Sequence, residues 1–70
     1  MKRVPVTSSH VRSVGYDESI KTLEIEFNSG GVYQYFDVPS AIHAGLIAAS
    51  SVGSYFDLNV KKAGYRYRRV

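Results

Sequence analysis

The last ten residues, KKAGYRYRRV, interleave Tyr65 and Tyr67 with Lys61, Lys62, Arg66, Arg68 and Arg69. Cations neutralise phosphates, and aromatic rings or guanidinium planes stack on unpaired bases. These residue types in alternation point to RNA, tRNA-like or single-stranded, with Arg12 and the Lys2–Arg3 pair as further contacts. The charge distribution agrees. The formal net charge is +3, five of the nine basic residues lie in this segment, and all six acids lie between Asp17 and Asp57. Such asymmetry favours an anionic partner. The plainer reading is a solvated end, in which Tyr65, Tyr67 and Val70 pack one side and the arginines stay in water. The two readings are compatible, because packed tyrosines would aim the arginines outward.

No other constellation suggests catalysis. His10 and His43 are the only histidines and have no partner at ligand spacing, and there is no cysteine. None of Ser8, Ser9, Ser50, Ser51 and Ser54 lies in G-x-S-x-G, and they read as turn and cap residues. NSGG and SVGS lack the lysine and spacing of a phosphate loop. Glu24 and Glu26 look like the solvent face of a strand. The expectation is a non-enzymatic module with no metal and no cofactor. A protein-interaction or structural role for a sheet edge or open face is the alternative to RNA.

Tyr33 and Tyr35 are a second candidate, in GGVYQYFDVP, residues 30–39. Their role depends on hairpin register. TLEIEFN alternates, with Leu23, Ile25 and Phe27 on one side and Thr22, Glu24, Glu26 and Asn28 on the other. A three-residue loop, Asn28–Gly30, sets Ile25 opposite Tyr33 and Leu23 opposite Tyr35, on the core face. A two-residue loop, Ser29–Gly30, moves both tyrosines to the open face beside Glu26 and Glu24, as a stacking platform. The order Asn-Ser-Gly suits a type I turn followed by a left-handed glycine, which favours three residues and core tyrosines.

Around this hairpin, HVRSVGYD reads as an irregular strand in which Gly15 marks a bulge or close approach. DESIK is the turn that joins it to the hairpin. Ile42, Leu46 and Ala49 at i, i+4, i+7 predict a helix from Pro39 or Ser40 to Ser50, with Pro39 in the first turn, Gly45 letting it lie close to the sheet, and Gly53 as its cap. A second helix is predicted from Ser54, with Ser54 and Asp57 as a capping box and Gly64 as the left-handed stop. The expected fold is α+β, a three-stranded antiparallel meander followed by two helices packed on one face (β-β-β-α-α), in one domain over residues 1–70. Leu23, Ile25, Phe27, Tyr33, Tyr35, Ile42, Leu46, Phe56 and Val60 are the expected core.

Seventy residues hold one domain, whose core rarely contributes more than about 3–5 kcal/mol net. With no disulfide to add, a cytosolic, soluble chain is expected, and a monomer is favoured. No apolar run follows Lys2 and Arg3, so no secretory signal is expected, and nothing is long enough to span a membrane.

The ordered series SSHVRSVGYD, TLEIEFNSGGVYQYFDVP and LIAASSVGSYF resembles the KTSC domain from about Val6 to Arg69. Its central Y-x-Y matches Tyr33-Gln34-Tyr35, and the following V-P matches Val38-Pro39. That family takes its name from the C-terminus of some lysyl-tRNA synthetases and also occurs alone in bacterial and phage proteins. The resemblance implies a stand-alone, uncharacterised domain for which RNA binding is suggested by the synthetase context. It implies no catalytic or binding residue.

Overall fold

The computed structural model describes residues 1–70, and its elements follow from the hairpin outward. β3 (Thr22–Phe27) and β4 (Val32–Tyr35) are joined by the three-residue turn Asn28–Gly30. Gly30 takes φ +101°, which a side chain would resist, and its N–H donates to the Phe27 carbonyl at 2.9 Å. The Phe27 N–H in turn donates to Gly31, which closes the ladder. Leu23 therefore opposes Tyr35 and Ile25 opposes Tyr33, as the loop chemistry predicts.

β2 (Val11–Asp17) pairs antiparallel with β3 and is irregular at Arg12, the extra residue of a bulge between Val11 and Ser13. The bulge lets Val11 and Val14 both face the core, at 1 % exposure each. The turn after β2 is held by Asp17, whose carboxylate accepts from the Ser19 N–H and hydroxyl.

The sheet has five strands rather than the three expected, in the order β1-β2-β3-β4-β5 with every pair antiparallel. The added edges are β1 (Arg3–Pro5) on β2 and β5 (Tyr67–Arg69) on β4. Each is three residues long and is held by its ladder to a single partner strand, the next in the chain for β1 and one beyond the helices for β5. Gly15 is a close approach, as expected: a Cβ there would lie 2.9 Å from the Lys2 carbonyl and 3.0 Å from Arg3 Cγ.

The helices lie between β4 and β5. α1 (Ser40–Ala48) ends two residues earlier than the periodicity suggests, and Pro39 precedes its first turn as an extended cap residue. α2 (Val52–Phe56) begins before Ser54, because Ser51 takes the cap position and accepts from the Ser54 N–H at 3.4 Å. Gly53 thus lies inside α2 instead of closing α1. The segment continues as a π-helical turn, Asp57–Lys61, with the Lys62 N–H donating to the Asp57 carbonyl. Gly64 then takes φ +84°, the left-handed conformation predicted for it.

One core lies between the helices and one sheet face: Val11, Val14, Leu23, Ile25, Tyr35, Val38, Leu46, Val52, Phe56 and Val60. Phe27, Tyr33 and Ile42, expected inside, are half-buried at its margin. Val38 is fully buried, its N–H donates to the Lys21 carbonyl, and its own carbonyl accepts the Tyr16 hydroxyl at 2.6 Å. No helix is long and apolar enough to cross a membrane.

Gly45 serves the helix–helix contact and not, as expected, the approach of α1 to the sheet. A Cβ on it would run into the hydroxyl and ring of Tyr55 on α2. Gly45→Ala is expected to lower stability by about 1–3 kcal/mol through overpacking. In a Tyr55→Ala background the same change should stabilise by up to about 1 kcal/mol, the helix-propensity gain of alanine over glycine. Urea unfolding of the four proteins of this double-mutant cycle tests the contact, and additive effects would show that Gly45 and Tyr55 do not meet.

Candidate binding surface

Aromatic side chains meet where β4 and β5 leave the helical layer. Phe27, Tyr33, Tyr35, Phe56, Lys61 and Tyr67 line a groove of about 500 Å³. The floor is rigid. Phe56 packs edge-on against Phe27 and Tyr35, with ring centres 5.4 and 5.5 Å apart, and Phe27 packs edge-on against Tyr33 at 5.7 Å. Tyr67 stands over this floor, its ring 5.5 Å from Tyr35 and 6.1 Å from Tyr33, tilted to both. The Arg69 guanidinium lies 5.9 Å from the Tyr33 ring centre, a cation–π distance.

The central Y-x-Y is therefore on the core face, yet its rings also form a surface. Tyr35 is 7 % exposed, and Tyr67 above it is 62 % exposed. Burial, then the neighbouring Tyr67 and Tyr33, push the Tyr35 phenol up to about 12. Tyr35 is accordingly a neutral hydroxyl at any ordinary pH.

The basic residues grouped by the sequence divide between the two faces. Register places Tyr67 and Arg69 on the helix side with Tyr35 and Tyr33, and Arg68 on the open side with Gln34. Lys61 reaches the groove from the π-helical turn. Arg66 pairs with Asp37 at 3.4 Å and lies 5.9 Å from the Phe36 ring centre. Both partners of that ion pair are largely exposed, so it contributes little stability. Lys62 pairs with Asp57 at 3.5 Å, Arg12 donates to the Asn28 carbonyl at 3.4 Å from the bulge, and Tyr65 packs half-buried against the core. Val70, expected to pack beside Tyr65 and Tyr67, is 64 % exposed.

The open face carries a polar row that sequence patterning read as plain solvent face. Arg3, Gly15, Glu24, Gln34 and Arg68 are successive cross-strand partners on β1 to β5. Arg3 Nη1 donates to Glu24 Oε2 at 2.5 Å, Gln34 Nε2 donates to Glu24 Oε1 at 2.9 Å, and Arg68 Nε donates to Gln34 Oε1 at 3.4 Å. Gly15 makes this possible, since only a residue without a side chain lets Arg3 lie across β2 to β3. Glu24 is 6 % exposed. Burial alone would push its carboxyl up, but the hydrogen bonds from Gln34 and Arg3 and the Arg3 charge hold it below the usual carboxylate range.

A second depression, about 820 Å³, is larger and polar, and it shares Phe27, Phe56 and Lys61 with the aromatic groove. Three of its hydroxyls serve local structure. Ser8 Oγ accepts from the His10 and Val11 N–H groups, Ser9 Oγ is 2.9 Å from His10 Nδ1, and Ser51 caps α2. His43 lines neither depression. It stacks on Tyr16 with ring centres 4.8 Å apart, and burial lowers its pKa.

A five-stranded antiparallel sheet with helices over one face and a hydrogen-bonded polar row on the other defines a small α+β domain. The KTSC domain matches residues 7–70, and the chain belongs to that family. A crystal structure of a KTSC domain protein from Yersinia pestis superposes with a TM-score of 0.91 at 40 % identity, covering 99 % of this chain and 96 % of that one. An uncharacterised protein of Stutzerimonas stutzeri is 44 % identical over 70 residues, covering 100 % of this chain and 99 % of its own length. A lysine–tRNA ligase of Nostoc punctiforme is 40 % identical over 53 residues, which are 76 % of this chain and 9 % of the ligase.

The Glu24 row has a testable pH signature. Its folded-state pKa is depressed, so its contribution is present above the unfolded value and is lost as pH falls through the folded one. Glu24→Gln is expected to cost about 1.5–3 kcal/mol at pH 7, the range for hydrogen bonds to a charged group. The gap to wild type should close as pH falls below about 4, near the ordinary glutamate value. Denaturant melts between pH 3 and 7 check this, and a gap independent of pH would show that the Glu24 charge is not what holds the row.

Proposed function

We propose that the domain is a non-enzymatic module that binds single-stranded RNA in the aromatic groove. Tyr67 and Tyr33 stack on unpaired bases, while Lys61 and Arg69 meet the flanking phosphates. The observation that carries this reading is the exposed Tyr67 ring held over a packed aromatic floor, with Lys61 and Arg69 beside it. A preset ring needs little ordering when a base arrives, and stacking accepts any base because each has a π-face. The lysine–tRNA ligase relatives, whose names concern a tRNA substrate, support an RNA partner. Arg66, Arg68, Lys62 and Arg12 act at longer range by raising the local concentration of an anionic strand. A cytosolic location accords with such a partner, and the role calls for neither metal nor cofactor.

Fluorescence anisotropy with a labelled single-stranded RNA octamer, and with the same octamer in a duplex, tests the reading. The single strand should bind more tightly, because a duplex hides the base faces. Tyr67→Ala should weaken binding by about 1–3 kcal/mol at every salt concentration while the melting temperature stays near wild type. Arg69→Gln and Lys61→Gln should each flatten the slope of log affinity against log salt by about 0.7. Absence of binding at low salt, or unchanged affinity in Tyr67→Ala, would remove the groove as an RNA site.

A further inference from the structure

The two edges of the sheet differ in what their free backbone offers. In an antiparallel ladder, alternate residues turn their N–H and C=O toward the partner and the others turn them away. On β1 the Val6 N–H donates to the Arg12 carbonyl, so Val6 and Val4 face β2, and Arg3 and Pro5 face outward. Pro5 has no N–H, and Arg3 is held on Glu24. That edge is blunted in the way sheets commonly avoid unwanted pairing.

β5 has no such protection. The Phe36 N–H donates to the Arg66 carbonyl and the Val70 N–H to the Val32 carbonyl, so Arg66, Arg68 and Val70 face β4. Tyr67 and Arg69 therefore present their N–H and C=O groups to solvent, and all three β5 residues are exposed. Around this edge stand Arg66, Arg68 and Arg69, with Asp37 as the one acid paired among them. A second copy of the chain pairing β5 to β5 would set arginine against arginine, which is unfavourable directly across a ladder.

We propose that the β5 edge accepts an extended acidic protein segment as a sixth strand. The backbone groups of Tyr67 and Arg69 supply the hydrogen bonds, and carboxylates on alternate residues of the segment, which share one face, meet Arg66 and Arg68 on the open side of the sheet. This proposal does not rest on RNA binding. It uses main-chain atoms of β5, whereas the RNA reading uses side chains over the groove.

The probe is a fluorescein-labelled octapeptide of alternating glutamate and valine, with a lysine–valine octapeptide as its charge-reversed counterpart. Amide hydrogen exchange on wild-type protein should show the Tyr67 and Arg69 N–H groups becoming protected when the acidic peptide is added. Arg69→Pro removes one outward N–H without touching the β4 ladder, and should weaken the acidic peptide roughly tenfold. Arg69→Gln keeps that N–H, loses a charge on the face opposite the carboxylates, and should weaken it by about twofold at most. The two variants should melt alike and bind an RNA octamer alike, so a failure of the RNA reading leaves this comparison intact. No binding of the acidic peptide at millimolar concentration, equal binding of the lysine–valine peptide, or equal loss in Arg69→Pro and Arg69→Gln would each overturn the proposal. So would protection of the same two amides by the RNA octamer alone, which would assign the edge to RNA.

Discussion

The register of the β3–β4 hairpin is the constraint on which both faces of the sheet depend. The three-residue turn Asn28–Gly30 sets Leu23 and Ile25 against Tyr35 and Tyr33 on the helix side, and Glu24 against Gln34 on the other. A slip of one residue would turn Tyr33 and Tyr35 to the open face beside Glu26 and Glu24. Glu24 would then lose Gln34, and the aromatic groove would lose its floor. Gly30 is thus tied to the groove through geometry alone: its positive-φ backbone decides where tyrosines stand several residues away.

Much of this was legible in the sequence because it follows from local chemistry. The alternation of TLEIEFN, the Asn-Ser-Gly turn and the change to helical spacing after Pro39 each predict an element that is present. The edges were not legible in the same way. Arg3–Pro5 and Tyr67–Arg69 are three-residue strands whose proline and arginines lower any strand signal, and only the partner strand stabilises them. Missing β5 blurred the site as well. Once YRYRR is placed in a strand, its period of two separates Tyr67 and Arg69 from Arg66 and Arg68, which as a charge run had looked like one surface. The start of α2 was misplaced because Ser51 and Ser54 are both good cap residues, and only packing of Val52 into the core selects the first.

The two faces divide the labour of holding the edges. On the helix side, contacts among rings join β4 and β5 to Phe56. On the open side, Glu24 reaches Arg3 on β1 and, through Gln34, Arg68 on β5. A single carboxylate in a central strand is thereby linked to both outer strands. A charge so well covered is costly unless its hydrogen bonds are made, and here both oxygens have donors. Gly15 and Gln34 are the less conspicuous members of the row, one by leaving space and the other by passing the contact on.

The place of the helices in the chain order gives the groove a characteristic timing. Strands β1 to β4 are neighbours in sequence and can zip by short closures, but the whole of residues 36–66 must be folded back before β5 reaches β4. β5 then gains a ladder on one side only and remains exposed. Such a strand belongs among the first parts of a fold to open, at a free energy well below that of global unfolding. Tyr67 and Arg69 ride on it, while Tyr33, Tyr35 and Phe56 do not. The groove thus has a floor set by the β3–β4 hairpin and Phe56 and a wall carried by the last strand to pair, so anything that fastens that strand also holds the wall.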